Sequence, residues 1–301
     1  MVDAGISYGG YFSEIVEKAS REGYTIHYYG LGSYNDQECS FVRLASQKQP
    51  AIILSAGFHG DEVAGPLTFV EHFKEIADYA LQKDVGLCIY PCVNPSGFDR
   101  RTRYNAANES PNNDFLRYLL ANGNLTDDLG ELNEFLAFYW SSDRDLQIKL
   151  PLETRLLHED LKRLPLSKIS GIVDLHQDTF RQDVGSYAYI FNRKEEYLAI
   201  AQRVDKIVPL LRNTRISSGY NIRVDSQGSI LTGDSVSNRG LLSDDAGFIY
   251  RHDGTLQDIL YRLGAQYAVT VETTGETDIT KAMQVNLLWV KGVIDLVAKQ
   301  K

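Results

Sequence analysis

Continuous apolar runs alternate along the chain with stretches in which apolar residues recur every three or four positions. The runs at 51–54 (AIIL) and 268–271 (AVTV) carry no charge, which is typical of strands that are covered on both faces of a sheet. The stretches 65–81 and 279–300 place apolar residues along one side of a helix. This alternation predicts an α/β fold.

The predicted elements follow one another without a repeat or an evident linker. Strands are predicted at 25–32, 41–46, 51–57, 85–93, 169–176, 188–193 and 268–274, and helices at 11–24, 65–81, 152–164, 194–211, 254–264 and 279–300. The polar residues 94–114 are predicted to form a long functional loop. We therefore predict a single α/β domain over residues 1–301, with a mixed, mainly parallel central sheet and helices on both faces. Residues 1–50 are expected to add a helix and strands to the same domain.

Composition and charge narrow the function classes. The chain has 301 residues, of which 43% are hydrophobic and 24% charged, as in ordinary globular proteins. A net charge of -9 argues against nucleic acid as a partner, because phosphate binding needs a basic surface.

Three cysteines fit a reducing compartment. The sequence shows neither a signal-peptide pattern nor the ~20 consecutive apolar residues of a membrane helix, so we predict a cytoplasmic protein without a membrane partner. The oligomeric state is left open.

A histidine and a glutamate follow directly after the apolar run at 51–54. His59 and Glu62 form an H-x-x-E step, which is either a solvated turn or half of a metal site. His176 also ends an apolar strand, where the simpler interpretation is a histidine bonded to Asp174 or Asp178. Two strand-end histidines and a glutamate together favour a metal site, because zinc prefers these ligands and a catalytic zinc has three of them.

Hydrolysis at a zinc ion also needs a general base and a positive group near the carbonyl oxygen. Glu272 ends the apolar run at 267–271 and is the candidate base. Arg103 is the candidate positive group, although Arg100 and Arg101 compete with it. The remaining histidines carry less weight: His158, for example, falls within a helical pattern and is predicted to lie at the surface or to be partly buried.

Seven motifs, in a fixed order, resemble those of the zinc metallocarboxypeptidase superfamily, in the style of carboxypeptidase A. That family has H-x-x-E, N-P-D-G with R-x-N downstream, D-L-N-R-x-F, a distant histidine, a tyrosine-containing loop and a glutamate ending a late strand. The segments here are HGDE at 59–62, NPSG at 94–97, RYN at 103–105, SPNNDF at 110–115, DLH at 174–176, IYRHDGTLQDILY at 249–261 and VTVETTGE at 269–276. The DLH form is more similar to the bacterial branches, which include murein-peptide amidases and deacylases like succinylglutamate desuccinylase and aspartoacylase.

The resemblance implies a zinc carboxypeptidase-like fold with one Zn²⁺ ion as cofactor. It implies three zinc ligands, which are His59, Glu62 and His176. It also implies that Glu272 is the general base and that Arg103 polarises the scissile carbonyl. The implied substrate-binding residues are Asn112, Asn113, a mobile Tyr250 and Gln257, the last at the position where the family sets side-chain preference. A strand-end aromatic that only packs is the alternative for Tyr250.

Two departures from the family pattern affect the substrate and the metal. Asn113 replaces the arginine that grips a substrate carboxylate, and an amide cannot make the same bidentate, charged contact. Arginines that could substitute for it are Arg101, Arg223 and Arg251. Ser110 replaces an aspartate that often orients a zinc-ligand histidine, and Glu109 is a possible replacement.

The sequence therefore supports a zinc-dependent hydrolase of amide bonds acting on a peptide or an acylated amino acid. A carboxypeptidase-like metallopeptidase is slightly preferred. An N-acyl amino acid deacylase similar to succinylglutamate desuccinylase or aspartoacylase is the alternative within the same chemistry. A binding module on a catalytically decayed hydrolase fold is the alternative from another class, and the changes at Ser110 and Asn113 are its support.

Overall fold

The computed structural model describes residues 5–34, 37–112, 114–129, 134–216, 223–224, 230–231 and 241–300. Its helices are α1 (Tyr8–Arg21), α2 (Ala64–Gln82), α3 (Pro95–Arg100), α4 (Leu152–Leu161), α5 (Lys194–Val204), α6 (Leu256–Arg262) and α7 (Ile279–Ala298). Its strands are β1 (Thr25–Tyr34), β2 (Gln37–Ala45), β3 (Pro50–Ala56), β4 (Gly86–Tyr90), β5 (Leu116–Leu119), β6 (Leu125–Thr126), β7 (Ala137–Trp140), β8 (Gly171–Asp178), β9 (Ser186–Ile190), β10 (Arg215–Ile216), β11 (Arg223–Val224), β12 (Ile230–Leu231), β13 (Leu241–Leu242), β14 (Phe248–Tyr250) and β15 (Tyr267–Thr274).

Eight strands form the central sheet, in the order β1-β2-β4-β3-β8-β15-β9-β14. The four neighbours β4, β3, β8 and β15 run parallel to one another, while β9 lies antiparallel to β15. The predicted α/β class with a mixed sheet is confirmed. Strands β1 and β2 lie in this sheet, and buried residues of α1 pack in one of its cores.

Apolar side chains pack on both faces of this sheet. One core joins α1, α2, α5 and α7 through buried residues such as Ile15, Phe69, Ile200 and Trp289. The other core lies under α4, α6 and the segment around β5, where Leu157 is buried. The apolar runs predicted to be buried on both faces are therefore covered by helices, as expected. Among the described helices, none combines the length and the apolar character needed to cross a bilayer.

The segment 94–114, predicted to be a long loop, begins with the short helix α3. The Asn94 side chain accepts a hydrogen bond from the Gly97 backbone N–H at 2.9 Å and so caps this helix. Pro95 follows at the first helical position, where its missing N–H costs nothing. The helix predicted at 194–211 instead ends at Val204.

A three-stranded antiparallel sheet of β6, β5 and β7 was not predicted from the sequence. Its strands are two to four residues long, which is too short for a clear alternation of apolar and polar positions. The network around Tyr118 ties this sheet to α6, because the Tyr118 hydroxyl donates to Asp258 at 2.5 Å and accepts from Arg262 at 2.9 Å.

His158, in α4, is fully buried, so the prediction that it lies at or near the surface is wrong. Its ring lies 4.8 Å from that of Phe115 and 5.1 Å from that of Trp140, measured between centroids. Neither ring nitrogen has a hydrogen-bond partner among the described residues. Burial, with a smaller effect of Lys162, lowers the pKa of His158 to about 3. The folded protein therefore holds this imidazole neutral.

We expect this imidazole to make stability depend on pH. In the unfolded chain a histidine has a pKa near 6.5. Between about pH 6.5 and 3, His158 is therefore protonated in the unfolded state and neutral in the folded state. The free energy of unfolding should then fall as the pH falls through this range, by roughly 1 kcal/mol per pH unit. Urea unfolding of the wild type and of His158→Leu at pH 7.5 and pH 5 measures the effect. Equal losses in the two proteins would contradict it.

Candidate metal and catalytic site

Two glycines shape the turn that carries His59 and Glu62 after β3. Gly57 has a φ of +68°, and a Cβ atom there would lie 3.0 Å from Cys92 Sγ. A Cβ atom on Gly60 would lie 1.8 Å from the carbonyl carbon of Gly97, so only glycine allows the two backbones to meet. The turn therefore presents His59 and Glu62 at the end of β3, where ligand sites of such sheets gather.

The structure brings His59, Glu62 and His176 together, as predicted. The Nδ1 atom of His59 lies 2.6 Å from Glu62 Oε1, and the Nδ1 atom of His176 lies 2.7 Å from Glu62 Oε2. One ligand atom of each residue lies within 4.8 Å of the others, and all three residues are buried. Because β8 is the parallel neighbour of β3, the two strand ends place the histidines on either side of one carboxylate.

This donor set fits a zinc ion. Two imidazole nitrogens and one carboxylate are ligands that zinc prefers, and three protein ligands leave a position for water or substrate. Burial, supported by Arg103, lowers the pKa of His59 to about 4, so its imidazole is neutral as a ligand must be. Although burial opposes it, the two histidines hold the pKa of Glu62 well below its usual range. Although burial opposes it, the carboxylates of Asp174 and Glu62 raise the pKa of His176 well above its ordinary value, so a cation that binds here must displace a proton from this ring.

His176 is oriented by a buried carboxylate on its own strand. Its Nε2 atom lies 2.8 Å from Asp174 Oδ2, and the Ser55 hydroxyl donates to Asp174 Oδ1 at 2.8 Å. Such a carboxylate fixes the ring so that the other nitrogen faces the metal position. The sequence suggested Asp174 only as the partner of a non-ligand histidine, and it gave no signal for Ser55.

Gln257, predicted to bind substrate, is buried in the first turn of α6. Its side-chain amide donates to Asp174 Oδ2, the same oxygen that contacts His176 Nε2. The observed contact therefore links Gln257 to the orientation of His176. Its predicted effect on side-chain preference stays a prediction.

Arg103 reaches the same carboxylate as the two histidines. Its Nη1 atom donates to Glu62 Oε1 at 3.2 Å. Asn94 positions this arginine, because its side-chain amide donates to the backbone carbonyls of Phe58 at 3.1 Å and of Arg103 at 3.4 Å. Through the side chain of Asn94, the NPSG and RYN motifs are thus connected to each other and to the turn that carries His59.

Glu272 lies directly beside His176 in the sheet, because the two are register partners on the parallel strands β15 and β8. Its side chain is buried, and its Oε2 atom has no hydrogen-bond partner among the described residues. Burial raises the pKa of this carboxyl well above its ordinary value, and the negative charges of Glu62 and Asp178 add to the effect. A carboxylate with a raised pKa and an open oxygen suits a group that accepts and returns a proton.

The other predicted substrate residues are less closely connected to this cluster. Asn112 is buried, and its side-chain oxygen has no hydrogen-bond partner within the described part of the chain. Asn113 lies outside the described residues. Tyr250 pairs with Ile190, which pairs with Val269, three residues before Glu272. At usual strand spacing and rise, its Cα is roughly 14 Å from that of Glu272, so a role as a closing tyrosine requires movement and stays a prediction.

The departure at Ser110 has a visible counterpart in the structure. Where the family has an orienting aspartate and this chain has Ser110, the buried Nε2 atom of His59 has no hydrogen-bond partner among the described residues. Glu109, the suggested replacement, forms an ion pair with Lys149 at 3.1 Å. The side chain of Arg223 lies outside the described residues.

The other two candidates for the missing arginine are engaged elsewhere. Arg101 donates to the Ile6 carbonyl at 2.8 Å, and Arg251 forms an ion pair with Asp128 at 2.7 Å. Arg101 or Arg251 would have to break its observed contact in order to bind a substrate carboxylate.

Comparison with known proteins places this site in context. The profile of the succinylglutamate desuccinylase/aspartoacylase catalytic domain matches residues 48–220. A search of curated proteins gives no significant match. Among solved structures, a candidate metallopeptidase from Shewanella baltica aligns over 97% of this chain and 91% of its own, with 20% identity and a TM-score of 0.64.

Two further structures share the fold at lower identity. Bovine thrombin-activatable fibrinolysis inhibitor, solved with tick carboxypeptidase inhibitor, aligns over 98% of both chains with 17% identity and a TM-score of 0.58. A metallo-carboxypeptidase from Burkholderia cenocepacia aligns over 96% of this chain and 69% of its own, with 10% identity and a TM-score of 0.58. The fold is therefore carboxypeptidase-like, as the motifs implied.

Proposed function

Because the chain belongs to the succinylglutamate desuccinylase/aspartoacylase family, we propose that it is a zinc-dependent hydrolase of amide bonds. One observation carries the proposal: His59, Glu62 and His176 converge as a buried metal-binding group, and Glu272 stands beside His176 with an unpartnered oxygen. We propose that one zinc ion binds at these three residues.

The side chains divide the chemistry between them. Zinc, when bound, supplies a Lewis acid that acidifies water and polarises a carbonyl group. Glu272 accepts a proton from the attacking water and delivers it to the leaving nitrogen. Arg103, held beside Glu62 by Asn94, stabilises the negative charge that develops on the carbonyl oxygen. Asp174 keeps His176 aimed at Glu62.

For the substrate, we propose an N-acyl amino acid. The family match favours this class over the C-terminal residue of a peptide, because the named family members are deacylases. The replacement of the family's arginine by Asn113 removes a charged contact with a substrate carboxylate. It does not separate the two classes, because N-acyl amino acids carry a free carboxylate as well. A carboxypeptidase-like activity is the second candidate. It draws support from the fold neighbours and from Asn112, whose buried side-chain oxygen has no partner within the described part of the chain.

A decayed binding module is a weaker proposal for this chain. The proposed base and all three proposed ligands are present and are buried. Four buried polar groups are costly to the stability of the fold, so their retention favours a functional site. A cytoplasmic location stays a prediction, and so does the extent of the catalytic domain over residues 1–301.

Substrate panels test the proposed function. We expect the zinc-loaded protein to release the amine from N-acyl amino acids at least about tenfold faster than from C-terminal peptides, and chelator-treated protein to release none. Peptides with an amide-blocked C-terminus serve as the control, because a carboxypeptidase needs the free carboxylate. Faster cleavage of unblocked peptides would favour the carboxypeptidase alternative. A protein that binds no zinc and cleaves nothing would overturn the proposal.

A further inference from the structure

An exposed aromatic ring stands beside the proposed catalytic residues. Phe180 follows β8, four residues after His176, and is 58% exposed. The centre of its ring lies 5.6 Å from the guanidinium carbon of Arg103, within the range of a cation–π contact. Since Arg103 donates to Glu62, only one side chain separates this ring from the metal-binding group.

The backbone that carries this ring is held firmly in place. The Thr179 hydroxyl donates to Asp61 at 2.9 Å, and the Phe180 N–H donates to the Asp178 carboxylate at 3.2 Å. The turn after β15 closes over the segment, because the Gly275 N–H donates to the Asp178 carbonyl at 2.8 Å. A Cβ atom on Gly275 would lie 3.0 Å from Thr179 Cα. The exposure of the ring is therefore a feature of a fixed segment.

Other apolar side chains of the same two segments are also exposed. Tyr104, next to Arg103 in the chain, is 44% exposed, and Val184, four residues after Phe180, is 47% exposed. Single exposed apolar residues are common and need no explanation. Tyr104 and Val184 are close to Arg103 and Phe180 in the chain, and the exposed ring of Phe180 itself offers an apolar surface beside Arg103.

We propose that Phe180 is a specificity-determining residue, which contacts an apolar group next to the scissile amide. The group is an aromatic or branched aliphatic side chain, carried either by the acyl part or by the amine part of the substrate. This inference rests on the proposed function, because it assumes that the scissile carbonyl lies near Arg103. A substrate that covers about half of a phenyl ring removes enough apolar surface from water to favour its binding roughly tenfold.

Kinetics with three substrates test the contact. N-acetylglycine is the small reference, N-phenylacetylglycine carries an apolar acyl group, and N-acetylphenylalanine carries an apolar amine part. We expect Phe180→Ala to lower kcat/KM about tenfold for one of the two apolar substrates, chiefly through KM. The reference should change less than about twofold, and the zinc content should equal that of the wild type. Phe180→Leu, which keeps an apolar side chain, should restore most of the loss.

The affected substrate identifies the side of the amide that Phe180 contacts. A uniform loss on all three substrates, or no loss on any, would overturn the inference and leave the hydrolase proposal intact. Titration of the zinc-loaded protein with phenylacetate, phenylalanine and acetate measures the same contact without turnover. If the wild type cleaves none of the amides, the proposed function fails. The inference then stands only if one of the aromatic ligands binds more tightly than acetate and Phe180→Ala removes that difference.

Discussion

Replacing Glu272 with glutamine is expected to lower kcat about a thousandfold, within the range for loss of a general base, while zinc content stays at the wild-type level. Glutamine has nearly the same shape as glutamate, so the packing of β15 against β8 should survive. It cannot accept a proton from water at neutral pH. The loss should therefore appear in kcat rather than in KM, which single-substrate kinetics on an N-acyl amino acid would measure.

The pH profile should identify the same carboxyl. A general base must be ionised, so activity is lost as the pH falls through its pKa. Burial raises the pKa of Glu272, so activity should be lost at a higher pH than the pKa of an ordinary glutamate would give. A bound cation lowers this pKa again in part, because its positive charge favours the ionised carboxylate. We expect an acid limb in kcat/KM for the wild type and its absence from the residual activity of Glu272→Gln.

Glu153→Gln is the matched control for this substitution. Glu153 is also a buried carboxyl whose pKa is raised by burial, but it is bonded to Asn105 at 2.9 Å instead of facing His176. It should lose less than about threefold in kcat. If Glu272→Gln keeps more than a tenth of the wild-type kcat, or if both variants lose equally, Glu272 is not the base.

Replacing His59 with alanine is expected to remove both the bound metal and the activity. The substitution leaves two protein ligands, fewer than the three of catalytic zinc sites. It also leaves the buried Glu62 carboxylate with one imidazole instead of two. Metal analysis after gel filtration should fall from about one zinc per chain to near zero, and hydrolysis should fall at least about a thousandfold.

His72→Ala controls for the loss of any histidine. This residue lies at a kink in α2, and its contact is with Glu75 at 3.1 Å on the surface. The control should keep its zinc and its activity. Retention of zinc in His59→Ala would mean that the metal lies elsewhere, and the proposed site would then be wrong.

The sequence predicted the parts of the fold that rest on long, uniform patterns. The strands around residues 51–57 and 268–274 and the helix at 65–81 are present because their apolar positions repeat clearly. The small sheet at 116–140 was missed because its short strands gain stability from contacts with α6, which are distant in sequence. After the early end of α5, the Asp205 carboxylate accepts the Leu210 N–H at 3.0 Å, and no periodic pattern reveals such a contact.

In the candidate site, too, the sequence predicted some features, while others depend on tertiary packing. The ends of apolar strands indicated His59, His176 and Glu272, since neighbouring parallel strands end at one edge of a sheet. The contact of Gln257 with Asp174 depends on how α6 sits over the sheet, and the distance of Tyr250 depends on the register of β14 against β9. Both are set by tertiary packing, which a single sequence does not display.

The closeness of Gly60 and Gly97 limits how the selectivity of this protein can be redesigned. Even one methyl group at position 60 would overlap the backbone of α3 at Gly97, so a mutant library that varies this position should yield mostly inactive clones. Position 180 tolerates variation more readily, because its side chain already extends into solvent. Directed evolution toward new substrates should therefore keep the glycine pair fixed and randomise positions 180 to 184.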